Sequence, residues 1–411
     1  MNLFYRYIFF VFLSTKVYTI DLALFDPDTM DDSVAFTVII KNVGQGSCTI
    51  IHNHENNHHL VIDAGSLSNK PKNTENSILE EFGFSEICCD IPLSNGSITV
   101  IVSHSDKDHL NLFESVFGTN CFLLERIRHV YLGDHFENYF KSVEVRDFLK
   151  NFLKRIPGIQ GKIISLSHDL LGLDVINFFD REELDLDRTI YRCFIARIGC
   201  LGFFTERQRH ISTNAFEIIG ANAGAGTPSE ASSDEKDSNI NSAVVRLSIN
   251  GRNILVMGDA TGKTTGRILK EIGDSEILTT ELLIASHHGA ENDKTNHVTW
   301  AAVTRPKHVV FSVGFNEGYK HPTLAATANY LITGLEEDEE DHIILIYNPT
   351  STHAASLRGL TFVRSCDIHS NWGVFRTQKP IHSTGSSGEL RYTFTEQGKL
   401  KDFWEEITTI H

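Results

Sequence analysis

Residues 98–111 read ITVIVSHSDKDHLN. The apolar, β-rich run from Ile98 to Val102 predicts a buried strand, and a polar cluster follows it with no spacer. His104, Asp106, Asp108 and His109 place four side chains able to ligate a cation within six residues. At a strand end a tight turn points alternate side chains into a shared pocket, so this spacing suits one or two divalent ions. The competing reading is a polar turn in which Asp106 or Asp108 caps the next helix. That helix is predicted from the apolar spacing of Leu110, Leu112, Phe113, Val116 and Phe117.

Working outward, residues 36–66 (FTVIIKNVGQGSCTIIHNHENNHHLVIDAGS) hold three apolar runs separated by a Gly-rich turn and a polar turn, which reads as a β-meander. Downstream, ILVMG ends in Asp259, LLIAS ends in His287-His288-Gly289, and the loop beyond HVVFSV carries His321-Pro322. A metal site at a sheet edge accounts for all of these clusters together. Adjacent histidines on a strand point to opposite faces, so one of His287 and His288 is expected to ligate and the other to stand behind it or touch substrate. Further strands are expected at 243–249, 253–257, 282–285, 308–313 and 343–346, and helices at 145–152, 263–272, 296–303 and 323–331. This alternation predicts an α/β (α+β) class with helices packed on sheets, and two strand-rich halves suit a sheet-on-sheet core.

The 411 residues are 41% apolar and 22% charged, enough for a sizeable core and too apolar for extended disorder. Lys and Arg number 37 against 53 Asp and Glu, a net charge of −16, which argues against a broad basic groove for duplex nucleic acid and leaves a local cationic or metal site for phosphate open. Seven scattered cysteines form neither a CxxC pair nor a disulfide framework. The apolar run 7–13 is far short of the roughly 20 residues that span a bilayer. Residues 1–29 read as a leader, an anchor or a mis-called extension, and 30–411 as one domain in the cytoplasm, secreted or anchored if 1–29 direct it so. An insertion is expected at about 118–238, with a flexible loop at 220–238, and a C-terminal extension at about 335–411. Three decoys are set aside. Residues 258–264 (GDATGKT) mimic a P-loop but have three residues between the glycines where four are needed. His52, His54, His58 and His59 read as a solvated hairpin turn, and Cys193 and Cys200 have no recognisable base.

Taken in order, VGQGSCTII, VIDAG, SHSDKDH, a strand ending in GDA, SHHG and RPKHVVFSVGFNEGYKHP resemble the metallo-β-lactamase superfamily. Within it the chain is similar to the hydrolase domain of ComEC-type competence (DNA-uptake) proteins, over about residues 36–325. The resemblance implies an αββα sandwich with the metal site at one edge between the sheets. It implies His104 and Asp106 on a first metal, Asp108 and His109 on a second, Asp259 as bridge, and a further second-metal ligand from the SHHG pair, His288 before His287. Asn241, of Asn241-Ser242, matches an element near the site, and His321 matches a histidine that contacts substrate. Asp106 stands where the wider superfamily has histidine, which hardens the site and makes Mn²⁺ plausible beside Zn²⁺. The superfamily's other first-metal histidine has no clear counterpart among His129, His135, His168 and His210. The implied chemistry is hydrolysis by metal-activated water, with Asp108 orienting it or carrying its proton, on a small phosphoester or short nucleic acid. The alternatives are another ester, thioester or lactone on the same site, or a binding protein on a degenerate scaffold.

Overall fold

The computed structural model describes residues 34–83, 96–166, 198–200, 215–223, 238–347, 359–366, 371–395 and 399–405, apart from single residues or pairs within these spans. The expectations for 1–29, for His135, His168, His210 and Cys193, and for 224–237 of the acidic loop fall outside the described residues. The first half comprises β1 (Val34–Ile40), β2 (Thr49–Asn53), β3 (His58–Ile62), α1 (Thr74–Glu80), β4 (Ile98–Val102), α2 (Lys107–Leu110), α3 (Phe113–Phe117), α4 (Cys121–Arg126), β5 (Ile127–Leu132), α5 (Val143–Arg155) and β6 (Ile163–Ser165). There follow β7 (Ile198–Cys200), β8 (Ala215–Gly220), β9 (Val244–Ile249), β10 (Arg252–Val256), α6 (Gly262–Ile272), α7 (Ser275–Leu278), β11 (Thr280–Ile284), α8 (Val298–Thr304), β12 (His308–Phe311) and α9 (Leu324–Leu331). The C-terminal part adds β13 (His342–Tyr347), β14 (Thr361–Ser365), β15 (Trp372–Thr377), β16 (Ile381–Ser383), α10 (Thr384–Ser387), β17 (Leu390–Thr395) and β18 (Leu400–Glu405).

The strands assemble into a first sheet ordered β18-β17-β1-β2-β3-β4-β5-β6, a second ordered β16-β12-β11-β10-β9-β8-β7, and a small third ordered β13-β15-β14. Period-two alternation sorts the side chains into layers. Val38, Ile40, Ile51, Leu60 and Ile101 of the first sheet meet Val245, Leu247, Val256, Leu282 and Val310 of the second in one buried core. The opposite face of the first sheet, with Ile39, Ile50, Val61 and Val100, packs on Ile78, Phe113, Phe117 and Phe152 of α1, α3 and α5. The outer face of the second, with Leu255, Leu283 and Val309, packs on Ile268, Trp300 and Tyr330 of α6, α8 and α9. The fold is therefore an α+β sandwich with helices outside both sheets. Each fully buried aliphatic contributes about 1.5–3 kcal/mol, so a polar substitution at Ile101 or Val245 is expected to break it.

The antiparallel β1-β2-β3 meander gives way to parallel pairing of β3 with β4, β4 with β5 and β5 with β6, each crossover passing through helices. In the second sheet β10, β11 and β12 are likewise parallel. Parallel order brings the carboxyl ends of successive strands to one edge, where ligand sites of α/β sheets form. Asp63 follows β3, His104 follows β4, Asp134 follows β5, Asp259 follows β10, His288 follows β11 and Ser312 follows β12. Residues 118–165, expected to be part of an insertion, supply β5 and β6 to the first sheet, and residues 381–405 return strands to both large sheets. Among the described residues no helix is long and apolar enough to cross a membrane.

Candidate metal centre

The expected single helix after the HxDxDH stretch is two short ones, α2 and α3, and Asp106 stands at the N-cap of α2 without capping it. Its Oδ1 instead accepts from Ser238 Oγ at 2.5 Å, leaving Oδ2 3.7 Å from His104 Nε2. Three imidazoles converge on Asp259. His109 Nε2 is 3.2 Å and His288 Nε2 3.6 Å from its Oδ1, and His104 Nε2 is 3.9 Å from its Oδ2. Asp108 closes the group, with Oδ2 3.4 Å from His288 Nε2. Among the described residues, His104, His109 and Asp259, and again Asp108, His109 and His288, form buried groups with the ligand spacing of a metal site.

Each of the three rings is held by its other nitrogen. His109 Nδ1–H donates to Asp63 Oδ2 at 2.7 Å, and His288 Nδ1–H donates to the Ser312 carbonyl at 2.6 Å. Ser103 Oγ, which donates to Asp63 at 2.7 Å, accepts from His104 Nδ1–H at 3.0 Å. This fixes the tautomers and turns three Nε2 lone pairs inward, the arrangement by which outer groups orient metal ligands. All three Nε2 atoms are buried and have no hydrogen-bond partner. An orphaned buried polar atom costs about 1–3 kcal/mol, so three of them around a carboxylate fit a cation that the donor set would hold.

The field at this spot calls for positive charge. Burial works against protonation of His109, yet Asp259 and Asp63 outweigh it and hold its pKa well above the usual imidazole value. At His104 burial and His109 are outweighed by Asp106 and Asp259, and at His288 burial is outweighed by Asp259 and Asp108; both are raised. Asp259 is pushed well below the carboxylate range, burial being overcome by His109, His288 and His287.

Glycines let the strands come this close. A Cβ on Gly65 would lie 2.2 Å from the backbone of Asp108, so only glycine lets the VIDAG turn lie against α2. Gly258 has φ +52° and faces Ser103, and the Asp259 N–H that follows donates to Ser242 Oγ at 3.1 Å.

The opposite-face expectation for the histidine pair fails here. Ser286–Gly289 is a tight turn, not strand, with His287 at φ 47° and His288 at φ 55°, and this left-handed backbone brings both rings to Asp259. His287 Nε2 is 3.8 Å from Asp259 Oδ2. The turn is tied down by Asn296, whose Nδ2 donates to the carbonyls of Ser286 and Ala290, and by Tyr330, whose hydroxyl donates to Asn296. His321 lies 5.6 Å ring to ring from His287, with Nδ1 buried. Burial, then His287 and His288, hold its pKa down to about 3. Asn241 is fully buried, and its Nδ2 donates to Asp134 Oδ1 at 3.0 Å.

Asp63, Ser103 and Asp134 carry no role in the sequence reading. Asp63 has the same signature as Asp259, a lone carboxylate ending an apolar strand. Asp134 accepts from Ser105, Asn138 and Asn241 and so ties the HxDxDH turn to the Asn-Ser element. His129 is on β5 beside Tyr131 and takes no part in either ligand group. The P-loop mimic is a cap, Thr264 Oγ1 accepting from the Thr261 N–H and donating to the Ile240 carbonyl.

No protein-family model matches the chain. It is similar to competence protein ComA of Neisseria gonorrhoeae, 32% identical over 122 residues, or 30% of this chain. The matched stretch covers 17% of the length of that relative.

Proposed function

We propose that this chain is a metal-dependent hydrolase using water activated at the His/Asp cluster, with Zn²⁺ or Mn²⁺ as the ion and a phosphodiester of a nucleotide or short nucleic acid as substrate. The observation that carries this reading is the convergence of three partnerless, buried Nε2 atoms on Asp259. The resemblance of the sequence motifs to the hydrolase domain of DNA-uptake proteins tilts the substrate toward nucleic acid, and the net charge of −16 toward a small one.

When bound, a divalent ion lowers the pKa of water and neutralises charge developing on a phosphoryl oxygen. The chain contributes position and proton handling. Asp63, Ser103 and the Ser312 carbonyl hold the three rings so that they need not reorganise. Asp108 is the acidic group placed to orient the water and take up its proton. His321, neutral at pH 7, is placed to hydrogen-bond a substrate oxygen at the rim, and Asn241 steadies the Asp106 turn through Asp134.

Protein loaded with Zn²⁺ or Mn²⁺ is expected to hydrolyse bis(4-nitrophenyl) phosphate, and Asp259→Ala to lose at least about 100-fold of that rate. A loaded wild type that cleaves no phosphodiester, or equal rates for the two proteins, defeats the reading.

A further inference from the structure

The small third sheet, in the stretch read from sequence as a C-terminal extension, has two working faces. Ile344, Ile346 and Phe375 join the core of Tyr330 and Leu331 on α9. On the alternate positions Leu345 and Trp372 face the loop that leaves β12, where Phe315 packs on them. The Phe315 and Trp372 rings lie 4.8 Å apart, and Tyr347 stands edge-on to Trp372 at 5.6 Å. Between loop and sheet is a pocket of about 160 Å³, its mouth included, walled by Phe315, Pro322, Leu345 and Trp372, with His321 and Ser383 as polar lining. Whole drug-sized ligands occupy about 300–1,000 Å³, so this space suits one planar group and not a whole nucleotide.

The pocket adjoins the candidate metal centre. A Cβ on Gly289, which closes the SHHG turn, would lie 2.6 Å from Pro322, and the His321 and His287 rings are 5.6 Å apart. Val313 directly follows Ser312, whose carbonyl orients His288. The walls are pinned from both sides. The Tyr347 N–H donates to the Pro322 carbonyl at 2.9 Å, and Val313 exchanges bonds of 2.9 and 3.1 Å with Thr384 Oγ1. Lys320 Nζ lies 5.4 Å from the centre of the Tyr347 ring, which sets a cation beside the pocket in a chain of net charge −16.

Resting on the hydrolase reading above, we propose that this pocket takes one nucleobase of the substrate while the adjoining phosphodiester lies at the His/Asp cluster. Aromatic side chains stack bases of any identity through their π-faces, and Phe315, half-buried at the opening with Trp372 behind it, supplies such a face. His321 Nδ1, buried without a hydrogen-bond partner, offers the edge of a base a polar contact that an acyl chain would leave unmet.

The test compares two phosphodiesters with one leaving group, thymidine 5′-(4-nitrophenyl) phosphate and methyl 4-nitrophenyl phosphate, on the full chain loaded with Zn²⁺ or Mn²⁺. The wild type is expected to favour the thymidine ester by at least about 10-fold in kcat/KM, the scale of one base stacked on an aromatic ring. Phe315→Ala, and Leu345→Phe, which fills the pocket, should each cut that ratio by about 10-fold, chiefly through KM. The ratio is internal to each variant, so a fraction of unfolded protein does not move it. In the metal-free chain, saturation-transfer NMR of thymidine 5′-monophosphate should mark base protons above sugar protons in the wild type and not in Phe315→Ala. Equal rates for the two esters, an unchanged ratio in either variant, or no excess base signal in the wild type overturns this inference and leaves the hydrolase reading standing. A wild type that turns over neither ester overturns both.

Discussion

The strand β3 carries a histidine cluster at one end and the candidate metal centre at the other. At its start, His58 and His59 are buried; His59 stacks on His52 at 4.0 Å, and His52 lies 4.2 Å from His54. At its end, Asp63 holds His109. The solvated turn expected for all four holds for His54, which is exposed, and in part for half-buried His52, while His58 and His59 are buried in β3. His58 is bonded by Ser97 and Thr99, His59 by the Glu81 carbonyl, His52 by Asn57 and His54 by Thr37. Burial, with neighbouring histidines and Arg126 adding to it, pushes His59 down to about 2 and His58 to about 4. Burial is equally complete at the metal centre, yet there the carboxylates win and the imidazoles move up. Crowded histidines make a cation site only where carboxylates share the low dielectric with them; otherwise they are neutral packing groups.

Breaking the carboxylate side of this contrast has the largest expected effect. Asp63→Asn leaves the ligands in place but weakens their orientation, so metal affinity should fall about 10–100-fold. Zn²⁺ at about 100 times its Kd stabilises the wild type by about 2.7 kcal/mol, and His59→Phe should keep that gain in full. Urea unfolding with and without Zn²⁺ reads both; an unchanged Asp63→Asn would remove the outer carboxylate from the account.

Acid sharpens the other side. His58 and His59 have folded pKa values below the unfolded value near 6.5, so the unfolded chain takes up their protons first and stability drains away as pH falls from about 6.5 toward 4. The slope is at most about 1.4 kcal/mol per pH unit for each histidine kept neutral. His59→Phe, which has Phe82 at 4.9 Å to pack on, is expected to lose less stability between pH 7 and 5 than the wild type in parallel urea curves. An identical slope would mean that His59 titrates freely.

The smallest effect is expected at Tyr330→Phe, which removes the hydroxyl holding Asn296 behind the SHHG turn. The cost in stability should be about 1 kcal/mol. Metal stoichiometry should stay as in the wild type; its loss would show that the turn has no other support.

Strong local patterns carried most of the architecture. The runs 98–102, 243–249 and 308–313 are apolar and bounded by turn residues, and the structure places β4, β9 and β12 there within a few residues. The residues 118–165 were less legible because Ile127–Leu132 carries Arg128 and His129 near its start, which breaks the apolar run of a strand that is otherwise buried. At the candidate site, His104, Asp108, His109, Asp259 and His288, all singled out from polar clusters that follow apolar strands, come within ligand distance of one another in two groups that share His109, while Asp106 joins neither. Asp63 has the same signature, a lone carboxylate just past the apolar strand β3.

Spacing and periodicity by themselves determined the two-sheet core, the sheet edge where the His/Asp groups gather and the residue types found there, because burial acts on local pattern. Only the tertiary structure decided what each group does. Whether a buried imidazole is pushed up or down depends on carboxylates that arrive from other strands. Both rings of the SHHG pair reach one aspartate through a left-handed turn held by α9, and that support lies 34 residues away along the chain between Asn296 and Tyr330.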